Sequence, residues 1–199
     1  MSSGGPLFDA RGIRKSYEVP VLLGVDLDIR AGECHALVGE NGAGKTTLVK
    51  IFSGLTGASG GTMTLAGQPL RPTTRGEASA RGIRTVLQEP TAIDTLTVGE
   101  SIFIDALPHR WGWVDRDTLA RNARARLDDL ELRDVDPSQP VSSLGIGQRQ
   151  MVEIAAAISR PCRLLILDEP TAALTDADAE RLFAVLARLQ TDGDRKSVV

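Results

Sequence analysis

The 199-residue chain carries 23 Lys and Arg against 26 Asp and Glu, a net charge of −3, with 42% of its residues hydrophobic. That length suits one well-buried domain, or one domain with a subdomain inserted in it, and the charge balance gives no electrostatic reason to expect nucleic acid or an anionic membrane as a partner. No apolar run approaches the roughly 20 residues that span a bilayer, and the opening MSSGGPLFDARG has neither the basic start nor the apolar stretch of a signal peptide, so a cytosolic location is expected.

Along the chain, CHALVGENGAGKTTLVKIFSGL is the first informative stretch. Cys34 to Val38 predicts a short apolar strand, Gly39 to Gly44 a turn-rich loop, and Thr46 onward a helix with Leu48, Ile51, Phe52 and Leu55 at helical spacing. Gly39, Gly44, Lys45 and Thr46 satisfy the pattern G-x-x-x-x-G-K-[ST] in the strand–loop–helix context it requires. Glycines let backbone wrap closely round phosphates, so the N–H groups from about Gly42 through Ala43, Gly44, Lys45 and Thr46 to Thr47 are expected to point at them, aided by the helix dipole, with Gly39 and Asn41 completing the binding loop. Lys45 is expected to reach the β- and γ-phosphates of a nucleotide, and Thr46 to place its hydroxyl on Mg²⁺. Cys34 and Cys162 have no metal-like spacing and are expected to be buried and reduced, and His35 and His109 are too scattered to form a metal site.

Further on, Arg110, Arg116, Arg121, Arg124 and Arg126 are interleaved with Asp115, Asp117, Asp128 and Asp129 on a predicted helix, which reads as a solvated face. Leu119, Ala123, Leu127 and Leu130 share the opposite face. Leu164 to Leu167 is apolar on both faces, as a central parallel strand should be, and ends in Asp168 and Glu169. Asp168 is placed to hold Mg²⁺ and Glu169 to polarise an attacking water. Thr175 and Asp178 form a capping-box pattern, with Asp176, Asp178 and Glu180 suiting the positive end of the following helix. Leu182 to Leu189 continues at helical spacing until Gly193.

Tyr17, the Lys45 loop, Gln88 in TVLQEP, SSLGIGQRQMVEIAAAIS and LLILDEPTAAL stand in an order that resembles ATP-binding cassette (ABC) ATPases over residues 7 to 193. VGENGAGKTTLVKI, MVEIAAAIS and PTAALT are most similar to the first cassette of bacterial simple-sugar importers of the ribose, xylose and galactose type. The resemblance implies an α/β fold: a P-loop NTPase (RecA-like) parallel sheet with an antiparallel β portion, residues 7 to 90 and 161 to 193, and a helical subdomain at 91 to 160. It implies ATP and Mg²⁺ as ligands, Tyr17 stacking on adenine, and Gln88 at the hinge near Mg²⁺ and the water. It further implies transmembrane permease subunits, a second cassette and, indirectly, a sugar-binding protein as partners, a place on the cytoplasmic face of the membrane, and no nucleic acid.

The family signature, commonly L-S-G-G-Q, reads Leu144-Gly145-Ile146-Gly147-Gln148 here. The resemblance has this segment cap the γ-phosphate of ATP on a facing cassette; with Gly145 in place of serine a hydroxyl is lost, worth roughly 1.5–3 kcal/mol if it met a charged group. Thr175, where many members have aspartate, is a second departure. After Gly193 the resemblance implies an apolar strand and a switch histidine, whereas the chain continues Asp194-Arg195-Lys196, a poor start for a strand buried on both faces. Residues 194 to 199 can be back-translated to what looks like the start of a common sequencing-library adapter and are expected to be a foreign tail on a truncated first cassette with impaired activity, the alternative being a divergent, solvated C-terminus. The expected function is ATP hydrolysis in a sugar importer. The alternatives are an Mg-ATP-binding module without turnover and a soluble ABC ATPase of repair or translation.

Overall fold

The computed structural model describes residues 5–87, 93–171, 174–191 and 197–198, without the side chains of 189–191 and 198. Gln88 and Gly193 lie outside the described residues. The chain divides into two compact units.

The first unit comprises Met1–Thr85, Cys162–Asp168 and Arg188–Val199. Strands β1 (Phe8–Ser16), β2 (Pro20–Ile29), β3 (Gly60–Leu65) and β4 (Gln68–Leu70) form an antiparallel sheet in the order β2-β1-β3-β4. The register sets Phe8 opposite both Ile29 and Leu65, and all three are buried because alternate residues of a strand share one face. Helix α1 (Lys45–Phe52) supplies Leu48, Val49, Ile51 and Phe52 to the same core, where Phe52 meets Phe8 edge-on at 4.7 Å between ring centres. A short helix, α2 (Arg75–Ala80), capped by Thr74, leads into β5 (Ile83–Val86).

The second unit comprises Val86–Pro161 and Glu169–Ala187. In it α3 (Val98–Phe103), the two-residue strands β6 (His109–Arg110) and β7 (Trp113–Val114), α4 (Arg116–Asp129) and α5 (Ile146–Ile158) follow in sequence. The three helices pack on one another. The expected apolar face of α4 is present, with Leu119, Ala123 and Leu127 buried and Leu130 buried as its C-cap. On its polar side Arg124 pairs with Asp128 and Arg126 with Asp129, as a solvated face should. After α5 come β8 (Leu164–Leu167), fully buried, then α6 (Asp176–Thr191) and β9 (Ser197–Val198).

Strands β5, β8 and β9 form a three-stranded sheet in that order, with β9 parallel to β8. Ser197 is buried; its N–H donates to the Arg163 carbonyl at 3.0 Å and its hydroxyl to the Arg30 carbonyl at 2.7 Å. The predicted strand from Cys34 to Val38 does not form. Cys34 makes a single bridge, residues 35–40 follow no regular ladder, and Val38 is 91% exposed. The physical reason is that apolar composition does not make a strand by itself: backbone N–H and C=O groups entering a core must find ladder partners. Among the described residues no strand runs beside 35–38, so the segment forms no ladder, although Leu37 packs half-buried against the core. Cys34 is accordingly exposed, contrary to expectation, while Cys162 is buried. The helix after the loop is also shorter than its apolar spacing predicts. Gly54, at φ 73°, ends it, and Leu55 lies beyond it at the surface, its N–H on the Lys50 carbonyl.

Candidate functional site

Residues Gly39 to Thr47 run as a loop into the N-terminus of α1. Two glycines shape it. Gly42 has φ 86° and Gly44, the N-cap of α1, has φ 94°, a backbone region that costs an ordinary residue roughly 1–2 kcal/mol. At Gly44 the requirement is also steric, since a Cβ there would lie 2.7 Å from Leu22 Cδ2. The strand β2 thus packs directly under the turn, and a side chain at Gly44 would push the Leu22 side chain aside.

The first intrahelical bond of α1 runs from the Leu48 N–H to the Gly44 carbonyl at 2.9 Å. The N–H groups of Lys45, Thr46 and Thr47 therefore have no acceptor within the helix. The Lys45 ammonium is folded back over the loop, donating to the carbonyls of Gly39 at 2.6 Å and Glu40 at 3.0 Å. Gly39, Asn41, Gly42, Ala43 and Thr46 are exposed, and Thr47 is half-buried. The loop thus gathers backbone donors, a helix N-terminus and an ammonium group in one short segment, a donor set that suits an oligophosphate.

Two further expected residues belong to this unit. Asp168 follows the buried strand β8 directly and is half-buried. Tyr17 lies in the turn between β1 and β2, 58% exposed, with Lys15 Nζ 4.9 Å from its ring centre. An exposed ring on a sheet turn can offer a face to an aromatic ligand.

The second unit holds the remaining ones. Glu169 is exposed and has φ 50°, a conformation a non-glycine residue adopts at a cost and which concentrates at functional positions. Leu144 is buried, and Gly145 is the N-cap of α5 in ordinary extended geometry, φ −64° and ψ 162°. The Gly145 N–H is held by the Gln148 carboxamide oxygen at 3.3 Å, while the Gln148 amide donates to Asp134 at 2.9 Å. Gln148 is therefore an internal cap for its own helix. Gly147 is close-packed: a Cβ there would fall 2.6 Å from Asp178 Oδ2. Asp178 is itself fixed by Thr175, whose hydroxyl donates to its carboxylate at 2.7 Å and accepts its N–H at 3.3 Å, the hydroxyl half of the expected capping box.

One residue that sequence reasoning passed over orders this segment. Arg149 donates to the Leu144 carbonyl at 3.2 Å, to the Ser142 carbonyl at 2.9 Å and to Asp94 at 3.1 Å. A guanidinium can serve three acceptors in one plane, but nothing in the spacing of LGIGQRQ distinguishes an arginine that turns back on its own loop from one that faces water.

A glycine loop carrying a lysine into a helix N-terminus, with an acid at the end of a buried strand of the same unit, defines a phosphate-loop nucleotide-binding protein. The chain belongs to the ABC transporter family, whose profile matches residues 22–172. It is 45% identical over 189 residues to the ribose import ATP-binding protein RbsA 1 of Rubrobacter xylanophilus, covering 94% of this chain and 38% of that protein. It is 42% identical over 191 residues to the arabinose import ATP-binding protein AraG of Azospirillum brasilense, covering 96% and 36%. The chain thus spans little more than a third of the length of these relatives. Among solved structures it is similar to a nucleotide-free ATP-binding cassette from an ABC transporter, with a TM-score of 0.84 at 22% identity over 97% of this chain and 79% of the other. It is also similar to cbiO1 of Clostridium perfringens, part of the ABC transporter complex cbiONQ, with a TM-score of 0.81 at 23% identity over 98% and 77%. The P-loop α/β fold read from the motifs is the fold of this family. No helix among the described residues is long and apolar enough to cross a membrane.

Proposed function

We propose that this chain binds Mg-ATP and forms part of the ATP-hydrolysing subunit of a bacterial sugar importer. The observation that carries the reading is the Gly39 to Thr47 loop, with Gly44 held in a left-handed turn against Leu22 and the Lys45 ammonium poised over it. The sugar is read from the relatives named for ribose and arabinose import. Lys45 exchanges its two carbonyl acceptors for phosphate oxygens, and the N–H groups of Lys45, Thr46 and Thr47 complete the cradle. The Thr46 hydroxyl and the Asp168 carboxylate, both oxygen donors, would hold Mg²⁺. The ion, when bound, neutralises charge on the phosphates. Tyr17 stacks on the base, Glu169 orients and polarises the attacking water, and Gln88 senses both.

Leu144, Gly145, Gly147 and Gln148 face a second cassette across a shared nucleotide. Transmembrane permease subunits receive the resulting closure, a sugar-binding protein acts on the far side, and the protein sits at the cytoplasmic face of the membrane.

A second reading, an Mg-ATP-binding module without turnover, is favoured by Gly145, which brings no hydroxyl to the signature. Nucleotide binding and turnover measured side by side separate the two. Lys45→Ala should abolish ATP binding by calorimetry, because lysine meets phosphate in the ground state. Glu169→Gln should retain binding and stop hydrolysis. Equal ATP affinity in Lys45→Ala and the unaltered chain would remove the phosphate-loop assignment. Binding with no turnover in any form that contains Glu169 would favour the module.

A further inference from the structure

The chain has two tryptophans, Trp111 and Trp113, and the structure places both on the hairpin formed by β6 and β7. Neither serves the core: Trp111 is 89% exposed and Trp113 79%. The turn is made by Trp111 at φ 57° and Gly112 at φ 84°, the two left-handed positions of a tight hairpin turn. Tryptophan is a poor residue for the first of these, where Asn, Asp or Gly is favoured. A residue that suits its backbone badly and gives nothing to packing is present for what it shows to the outside.

The hairpin has a defined outward face. Arg110 pairs across the strands with Trp113, and His109 with Val114. Cross-strand partners share a face: Arg110 and Trp113 are both exposed, while on the other face His109 is exposed and Val114 half-buried. The base of the hairpin is fixed: the Asp115 N–H donates to the Pro108 carbonyl at 2.8 Å, and the Asp115 carboxylate caps α4 by accepting from the Thr118 N–H at 3.0 Å and hydroxyl at 2.8 Å. Asp105 is paired with Arg160. Asp105 and Asp115 are thus engaged within the protein, and Arg110 is exposed.

We propose that this hairpin is a membrane-surface anchor, seating Trp111 and Trp113 among phospholipid headgroups with Arg110 on a lipid phosphate. An indole joins a large apolar ring to an N–H donor, the combination that settles at the boundary of bilayer and water. A guanidinium matches phosphate oxygens in geometry as well as charge. Both rings stand exposed at the tip, which a soft surface accommodates without a preformed pocket. Two tryptophans offer about 300–500 Å² of contact, short of the roughly 800 Å² per partner that a stable protein interface buries, so a bilayer fits better than a polypeptide. The attraction is local and apolar, compatible with a net charge of −3, and it is shallow and reversible. It does not depend on the nucleotide reading.

The two tryptophans are themselves the probe. Titrating the full chain with mixed phosphatidylcholine–phosphatidylglycerol vesicles should shift its tryptophan emission to the blue, raise its intensity, and make it quenchable by brominated acyl chains. The chain should float with the vesicles. The double variant Trp111→Ser/Trp113→Ser, with an unchanged far-ultraviolet dichroism spectrum, should lose flotation, and Arg110→Gln should weaken it. Leu23→Ser, which removes an apolar side chain 81% exposed on the other unit, should float as the unaltered chain does. Emission unchanged by lipid overturns the proposal. Flotation that survives the double variant, or that falls equally in Leu23→Ser, shows general apolar adhesion and overturns it too. A shift seen only when permease protein is present in the vesicles assigns the hairpin to a polypeptide partner instead.

Discussion

Gly42 and Gly44 are two bends of one loop with different reasons to be glycine. Both have positive φ, so alanine at either costs the roughly 1–2 kcal/mol of a left-handed residue. Only Gly44 is also pressed against Leu22, whereas a Cβ at Gly42 meets nothing within 4 Å. Gly44→Ala should therefore lower the urea midpoint clearly more than Gly42→Ala, and should also weaken nucleotide binding, because the turn must shift away from β2. Equal midpoints in the two variants would show that Leu22 yields freely. Gly145 is the converse case. Its φ and ψ are ordinary, its surroundings are open, and a serine there gains a true N-cap worth a few tenths of a kcal/mol over glycine. Gly145→Ser should raise the melting temperature slightly and leave the ATP affinity of the isolated chain nearly unchanged. If the reading of the signature is right, it should tighten ATP-dependent self-association in a Glu169→Gln background.

At the scale of elements, the helical unit is held at its helix starts by carboxylates. The Glu100 carboxylate accepts the N–H of Thr97, at 2.9 Å, while the Thr97 hydroxyl accepts the N–H of Glu100, at 3.2 Å. The Thr97 N–H is the main reason the Glu100 carboxyl is held below its usual range, and the Thr118 N–H does the same for Asp115. Folded-state pKa values below the unfolded values of about 4.3 and 3.9 mean stabilisation that is complete at neutral pH. It is lost as pH falls through the depressed values. Helical dichroism should therefore resist unfolding least at low pH, and Glu100→Gln together with Asp115→Asn should flatten the acid limb of the stability profile. A limb of unchanged steepness in that double variant would place the acid sensitivity elsewhere.

The fate of the segment after Cys34 is settled only at the scale of the whole molecule. Leu37 is half-buried and Val38 lies in water, while the sheet that carries Asp168 ends at the two-residue strand β9. Extending the chain past Gly193 with an apolar strand, in place of residues 194 to 199, should give residues 35–38 a ladder partner. Burying Val38 alone would return roughly 1.5–3 kcal/mol. The expected result is a steeper, higher thermal transition together with amide-exchange protection at 35–38. Protection already present at those amides in the 199-residue chain would contradict the structure described.

Local chemistry made much of this protein legible from its sequence. The phosphate loop, the Thr175 hydroxyl on Asp178 at the start of α6, the apolar face of α4 and the buried strand before Asp168 each depend on residues a few positions apart, so spacing alone carries them. Gln88 was legible as a motif, and its position lies outside the described residues. Three features depended on contacts between residues distant in sequence. A strand exists only where another runs beside it, so the apolar run after Cys34 could not declare its own failure to pair. Arg149 turns back on Ser142, Leu144 and Asp94 because those acceptors are brought within reach. Both tryptophans are exposed because they sit on a hairpin that stands off the core, and pattern within HRWGWV cannot say whether its rings are covered.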